Sequence, residues 1–174
     1  NEDIIDNRHT INLINPDNPM VIGEKIFFDL AVELDLLVIN TDFARLFINK
    51  IDMGVYHYNN HADEIFLRQN HRFLGNIYSY SPGRSKNKNS EWYAQTNWKV
   101  TWSPEEKNNR IELENFLKVV KNASEQEFVY FASNHIDIKK FMTIDDLDIL
   151  FGNDRKQSFK LFFDPYKGKW EPIV

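Results

Sequence analysis

Residues 92–106 read WYAQTNWKVTWSPEE, and this stretch decides the fold. Its first eleven residues place large apolar side chains on one side of an extended chain, namely Trp92, Ala94, Trp98, Val100 and Trp102. Polar residues occupy the alternate positions, so the pattern predicts a strand with one packed face and one solvent-facing face. The next four residues, 103–106, have the composition of a capping box with proline at the first helical position. A helix is therefore predicted to begin at Ser103.

Downstream of this stretch the signals alternate between helix and strand. The helix from Ser103 is expected to end at Asn122, after an apolar stripe of Leu113, Phe116, Leu117 and Val120. Residues 127–133, with the run Phe-Val-Tyr-Phe, predict a short buried strand. Thr143 predicts the start of a short helix that Gly152 ends, and residues 159–163 predict a last strand.

Upstream, the pattern is less regular. The apolar residues of segment 21–36 fit both the spacing of a helix and the alternation of a strand. The alternation of apolar and acidic side chains after Gly23 favours a strand over a helix. Residues 41–51 predict a helix, because apolar side chains recur there at spacings of three and four behind a polar start. The remaining signals are a polar turn at 57–64, an aromatic run at 65–80 that pairs with the central strand as a hairpin, and a basic tip at 84–90.

These elements predict an α+β fold with a mainly antiparallel, strand-rich first half and helices packed on one face in the second half. With 174 residues, of which 42% are hydrophobic, the chain has the size and composition of one domain with a single core. We expect residues 1–20, which contain two prolines, to form an N-terminal arm and residues 21–174 to form the single domain.

Cysteine is absent from the sequence, which excludes disulfides, thiolate zinc sites and cysteine nucleophiles. This composition favours a reducing compartment, and a cytoplasmic location is the expectation. The most apolar segment, residues 26–39, is interrupted by three acidic residues and is too short to cross a bilayer. We therefore expect a soluble protein that does not insert into membranes.

Positive charge is concentrated in the predicted hairpin. The chain has a net charge of −5, yet residues 65–102 contain six Arg and Lys residues against one Glu. Cations beside aromatic side chains are typical of surfaces that contact phosphates and stack bases. The candidate binding residues are Arg68, Arg72, Tyr80, Arg84, Lys86, Lys88 and Tyr93.

A second group of residues has metal-binding chemistry. His57 and His61 are four residues apart, and Asp63 and His71 follow them. Two histidines at this spacing on a helix can share a zinc ion. Tyr58 stands where zinc hydrolases have a glutamate, however, so a solvated polar turn explains the segment better, and neither a metal nor another cofactor is predicted.

The sequence thus predicts a non-catalytic binding domain that presents the 65–93 hairpin to an anionic partner, either nucleic acid or an acidic protein surface. One alternative is a metal-dependent hydrolase or nuclease that uses the 57–71 segment or the strand containing Lys99. Another is a structural subunit of a protein complex.

Overall fold

The structure is a computed structural model that describes residues 11–15, 21–81, 93–105, 110–152 and 159–174. Within these ranges the chain forms two antiparallel sheets and five α-helices. In chain order the elements are β1 (Ile11–Ile14), α1 (Val21–Glu33), β2 (Thr41–Ile48), β3 (Ile51–Asn60), α2 (Glu64–Gln69), β4 (Ile77–Tyr80), a 3-10 turn (Gln95–Asn97), β5 (Trp98–Trp102), α3 (Ile111–Asn122), α4 (Glu125–His135), α5 (Ile138–Phe151), β6 (Phe159–Asp164) and β7 (Lys169–Ile173). The predicted α+β class is confirmed, with strands mainly in the first half and helices mainly in the second.

The smaller sheet has the strand order β1-β3-β2. Strands β2 and β3 form a hairpin in which Ile48 is paired with Ile51. The two residues between them, Asn49 and Lys50, have φ angles of 51° and 66°. Positive φ at both positions is the geometry of the two-residue turn whose twist matches that of antiparallel strands. Strand β1, from the segment predicted as an arm, pairs with the other edge of β3.

The larger sheet has the order β5-β4-β6-β7, and each pair is antiparallel. Successive residues of a strand point to opposite faces, and the neighbours Ile77 and Tyr78 accordingly lie in different apolar clusters. One face packs against α3 and α4, and that cluster is built from Tyr78, Tyr80, Trp98, Leu113, Phe116, Leu117, Leu161 and Trp170. The other face is partly covered by α2, through Phe66 and Leu67.

A third cluster joins α1 to α5. Phe27 and Ala31 of α1 pack with Ile144 and Leu147 of α5, and all four side chains are buried. Among the residues that the structure describes, no helix has the length and apolarity needed to cross a bilayer.

Several local predictions are confirmed. The hairpin of the larger sheet exists, because β4 pairs with β5 in an antiparallel register. The predicted stripe of α3 is inward-facing, with Leu113, Phe116 and Leu117 buried, and the helix ends at Asn122. Gly152 ends α5 with a φ of 66°, a left-handed conformation that favours glycine. The strand predicted at 159–163 is β6, although it is not the last strand, because β7 follows it.

Three segments have the wrong predicted secondary structure: one type, helix or strand, was predicted and the other is observed. Residues 21–33 form a helix, because Phe27 and Ala31, one turn apart, are buried against α5. Residues 41–48 form a strand, since pairing with β3 along the whole segment outweighs the helical spacing. Residues 127–133 lie in α4, which a capping box begins: Ser124 accepts a hydrogen bond from the Glu127 amide, and the Glu127 carboxylate accepts one from the Ser124 amide.

Four predicted boundaries are also wrong. Strand β3 continues to Asn60 through the turn predicted at 57–64. Strand β5 begins only at Trp98, after the 3-10 turn, and Trp92 lies outside the described residues. Helix α3 begins at Ile111 rather than Ser103, whose hydroxyl accepts from the Glu105 amide instead. Thr143 lies inside α5, where its hydroxyl donates to the Lys139 carbonyl.

Candidate functional site

The predicted basic residues do not gather on one described surface. Arg68 is exposed and forms an ion pair with Glu64 one turn earlier in α2, at 2.7 Å. Arg72 points inward and pairs with Glu171 at 3.0 Å. Three further residues of the predicted site, Arg84, Lys86 and Lys88, lie outside the described residues.

The predicted aromatic residues are engaged in packing. Tyr80 is 4% exposed and contacts Trp98 and Phe159 in the core. Tyr93 is half-buried, and the ammonium group of Lys121 lies 5.8 Å from the centre of its ring. A ring in contact with neighbouring side chains offers less surface for stacking on a ligand.

The histidine segment is divided between different elements. His57 is buried on β3, and neither of its ring nitrogens has a hydrogen-bond partner. Asp63 caps α2 by accepting from the Phe66 amide at 3.0 Å. His61 precedes that cap and His71 follows the helix. Within the described ranges, no three His, Asp or Glu side chains are placed to hold a metal ion together.

A buried ion cluster does exist around Glu171 on β7, which we call the Glu171 cluster and define as Arg72, Lys140, Lys167 and Glu171. The Glu171 side chain accepts from Lys140 Nζ at 2.9 Å, from Arg72 Nε and Nη2 at 3.1 and 3.0 Å, and from Lys167 Nζ at 3.2 Å. It is fully buried. The cluster joins β7 to α5 and to the segment after α2, so it fixes helices against the sheet.

Two opposing effects act on the Glu171 carboxylate. Burial raises the pKa of Glu171, but the hydrogen bond and charge of Lys140, the charge of Arg72 and the hydrogen bond from Lys167 lower it, and the net direction is downward. The carboxylate therefore stays ionised at neutral pH. Because every member already has a partner and Glu171 is inaccessible, we assign this cluster a structural role.

Another polar arrangement crosses the partly open face of the larger sheet. Ser79 on β4 lies between Lys99 on β5 and Lys160 on β6, because it is the registered partner of both. We call these three residues the lysine row. Directly opposed residues of an antiparallel sheet have β-carbons roughly 5 Å apart. Two ammonium-bearing side chains thus flank one hydroxyl.

A β-bulge adds a second hydroxyl to the lysine row. The register shifts opposite Ile77 and Tyr78, so that Thr101 has no partner residue on β4. Bulges re-aim the side chains around them. As a result the Thr101 hydroxyl forms a hydrogen bond with the Ser79 hydroxyl.

Among the described residues, no carboxylate compensates the positive charge of the lysine row. Within the described part of the chain, neither Lys99 nor Lys160 has a carboxylate oxygen within 4.0 Å, whereas Arg72, Lys140 and Lys167 each have at least one. Burial lowers the pKa of Lys160, and the positive charge of Lys99 lowers it further. The row is therefore a place where a negative charge would be stabilised.

An α+β domain with an open, cation-bearing sheet face is compatible with many activities. Comparison with known proteins shows to which protein family the chain belongs. The sequence model of the family described as CotH kinase protein matches residues 2–173. The chain therefore belongs to the CotH kinase protein family. No curated protein matches it significantly.

This membership overturns the function predicted from the sequence. A non-catalytic domain that binds nucleic acid through the 65–93 hairpin is wrong, because the match to a kinase family extends over nearly the whole chain. The hydrolase and structural-subunit alternatives are not supported by this membership either.

Sequence reasoning missed Lys160 and three members of the Glu171 cluster, Lys140, Lys167 and Glu171, and it assigned the fourth, Arg72, to a binding surface. Lys160 interrupts an otherwise apolar strand, Phe-Lys-Leu-Phe-Phe, and a charged residue inside a buried run is a signal that could have identified it. Glu171 offers a similar signal, since it is a charged residue between Trp170 and Pro172. The structure shows that residues 170–173 of this strand are all buried. The partners of both residues come from distant segments, and the sequence alone does not identify them.

Proposed function

We propose that this protein is a kinase, which transfers the terminal phosphoryl group of a nucleoside triphosphate to an acceptor. The observation that carries the proposal is the family match over residues 2–173. Such a reaction depends on positioning the phosphates and on stabilising the negative charge of their oxygens. The positive charge of the lysine row, which no described carboxylate compensates, supports a protein that handles anionic groups.

Phosphoryl transfer commonly uses divalent metal ions that bridge the phosphate oxygens. Magnesium in such sites is held by as few as one or two carboxylates together with the phosphates, and the described residues contain no group of three acidic or histidine side chains that would identify the ligands. We therefore assign no metal ligands and derive no step through a metal. The cytoplasmic location also stays a prediction, which the cysteine-free sequence supports.

The test is a transfer assay with the full-length protein, ATP or GTP labelled in the γ-phosphate, and magnesium or manganese. We expect label to appear on the protein itself or on added protein acceptors, together with formation of ADP. ATP labelled in the α-phosphate is the matched control, because a kinase leaves that label on the nucleotide. If a folded sample transferred no label from ATP or GTP with either metal, the proposal would be refuted.

A further inference from the structure

We infer that the lysine row binds a phosphoryl group, either that of a nucleotide or free inorganic phosphate. The inference goes beyond the proposed function, since a phosphate would bind there whether or not the protein transfers phosphoryl groups. It depends on the positions of Lys99, Ser79, Lys160 and Thr101 in the larger sheet.

The first step is the register. Ser79 is opposite Lys99 on one side and Lys160 on the other, so the three side chains lie on one face in a line across β5, β4 and β6. Neighbouring strands are about 4.8 Å apart, which separates the two lysine backbones by roughly 10 Å. Long lysine side chains can converge over this distance on a group that sits above Ser79.

The second step is accessibility. Lys99 and Thr101 are exposed, Lys160 is half-buried and Ser79 is 8% exposed. On the same sheet face, the next cross-strand pair along β4 and β6 is Ile77 and Phe162. These two side chains pack in the apolar cluster with α2. The lysine row is thus a shallow polar floor beside an apolar cluster, open to a ligand from solvent.

The third step is charge. Two positive side chains across one intervening strand repel each other, and no described carboxylate lies within 4.0 Å of either. A dianionic phosphate would accept hydrogen bonds from both ammonium groups and from a hydroxyl, which are charge-assisted and stronger than neutral ones. Binding would replace repulsion with attraction, and it would restore the pKa of Lys160 toward its ordinary value.

The experiment measures binding of inorganic phosphate and of ATP, separately, to the full-length protein by calorimetry at constant ionic strength. The test variant is Lys99→Met/Lys160→Met, which keeps the aliphatic stems and removes both charges. The matched control is Lys118→Met/Lys139→Met, which removes two charges from exposed positions on α3 and α5. A charge-retaining variant, Lys99→Arg/Lys160→Arg, tests for a fold defect.

We expect the Lys99→Met/Lys160→Met variant to bind about a hundredfold more weakly, because each ammonium contact contributes about tenfold. The Lys118→Met/Lys139→Met and arginine variants should bind like the wild-type protein. Loss of ATP affinity alone would assign the row to a nucleotide, and loss of affinity for both ligands would assign it to any phosphate.

The inference fails if the wild-type protein binds neither ligand, or if the Met variant of the row binds as tightly as the wild type. Weakened binding in both double-Met variants would also refute it, because net charge rather than the row would then be responsible. Phosphate binding without label transfer would remove the kinase proposal and leave this inference intact. Label transfer by a wild-type protein whose phosphate and ATP affinities are unchanged in the Lys99→Met/Lys160→Met variant would remove this inference and leave the kinase proposal intact.

Discussion

Lys140 on α5 and Glu171 on β7 are buried together, with Lys140 Nζ 2.9 Å from Glu171 Oε2. An ion pair in this environment owes its stability to complete hydrogen bonding, because both charges have lost their water. Glu171 meets this condition through two further cations, Arg72 and Lys167. The pair joins the longest described helix to the edge strand of the larger sheet.

Replacement of Lys140 by methionine is expected to destabilise the protein by about 3 kcal/mol, near the lower end of the range for breaking a buried pair. The loss is moderated because Glu171 keeps Arg72 and Lys167. Urea unfolding followed by circular dichroism measures it. Lys139→Met, at the exposed neighbouring position, should change the unfolding free energy by no more than about 0.5 kcal/mol. Equal effects of the two variants would show that the pair adds no stability.

The lowered pKa of Glu171 predicts how stability depends on pH. A carboxylate whose pKa is lower in the folded state binds fewer protons there than in the unfolded chain. Its stabilising contribution is therefore complete above the ordinary glutamate pKa of about 4.3 and is lost as pH falls through the folded value.

Glu171→Gln is accordingly expected to flatten the decline of unfolding free energy with falling pH in the acidic range, whatever its effect at pH 7. Unfolding in urea at a series of pH values between 7 and 3 measures the slope. The exposed Glu114→Gln should leave the slope close to that of the wild type. A Glu171→Gln slope as steep as the wild-type slope would contradict the assigned direction of the pKa shift.

The sequence predicted elements whose signals are local. The alternation in β5, the buried stripe of α3 and the end of α5 at Gly152 each follow from residues within a few positions of one another, and the β4–β5 hairpin joins strands that are neighbours in the sequence. Alternation, helical spacing and a left-handed glycine act over that range. These features could therefore be inferred without knowledge of the tertiary structure.

The wrong secondary-structure predictions in the first half of the chain arose where tertiary contacts decide between a helical and a strand-like spacing of apolar residues. Residues 21–33 are a helix because of packing on α5, which is more than 100 positions later in the chain. The candidate sites show the same dependence, since Arg72 and Glu171 are separated by 99 positions. A local excess of cations, such as that in residues 65–102, does not reveal which of them will find a buried carboxylate.

The capping box of α4 supports a prediction about local stability. Ser124 accepts from the Glu127 amide, and Glu127 accepts from both the amide and the hydroxyl of Ser124. Ser124→Ala should destabilise the protein by about 1 kcal/mol, whereas Ser124→Thr retains the hydroxyl as both acceptor and donor and should be close to neutral. Gln126→Ala, at an exposed position in the same turn, is the control. Thermal unfolding of the three variants measures these differences. Equal stability of Ser124→Ala and Gln126→Ala would contradict the role of the capping box.

Two glycines are expected to respond to the same substitution with opposite signs. A β-carbon on Gly75 would lie 2.3 Å from the Phe163 carbonyl oxygen and 2.6 Å from Pro165 Cδ, distances that force the backbone or the ring to move. A β-carbon on Gly23, within α1, would meet no atom within 4 Å. Gly75→Ala should therefore destabilise the protein by at least about 1–3 kcal/mol, the usual effect of overpacking.

Gly23→Ala should instead stabilise the protein by roughly 0.5–1 kcal/mol, since alanine restricts the unfolded chain and favours the helix. Urea unfolding of both variants under one set of conditions measures the difference. Because the substitution is chemically identical, a difference in sign reports only the surroundings of each position. If Gly75→Ala were as stable as the wild type, the close approach of the 75–76 segment to the end of β6 would be wrong. If Gly23→Ala were destabilising, residues 21–33 would not form the helix that packs on α5.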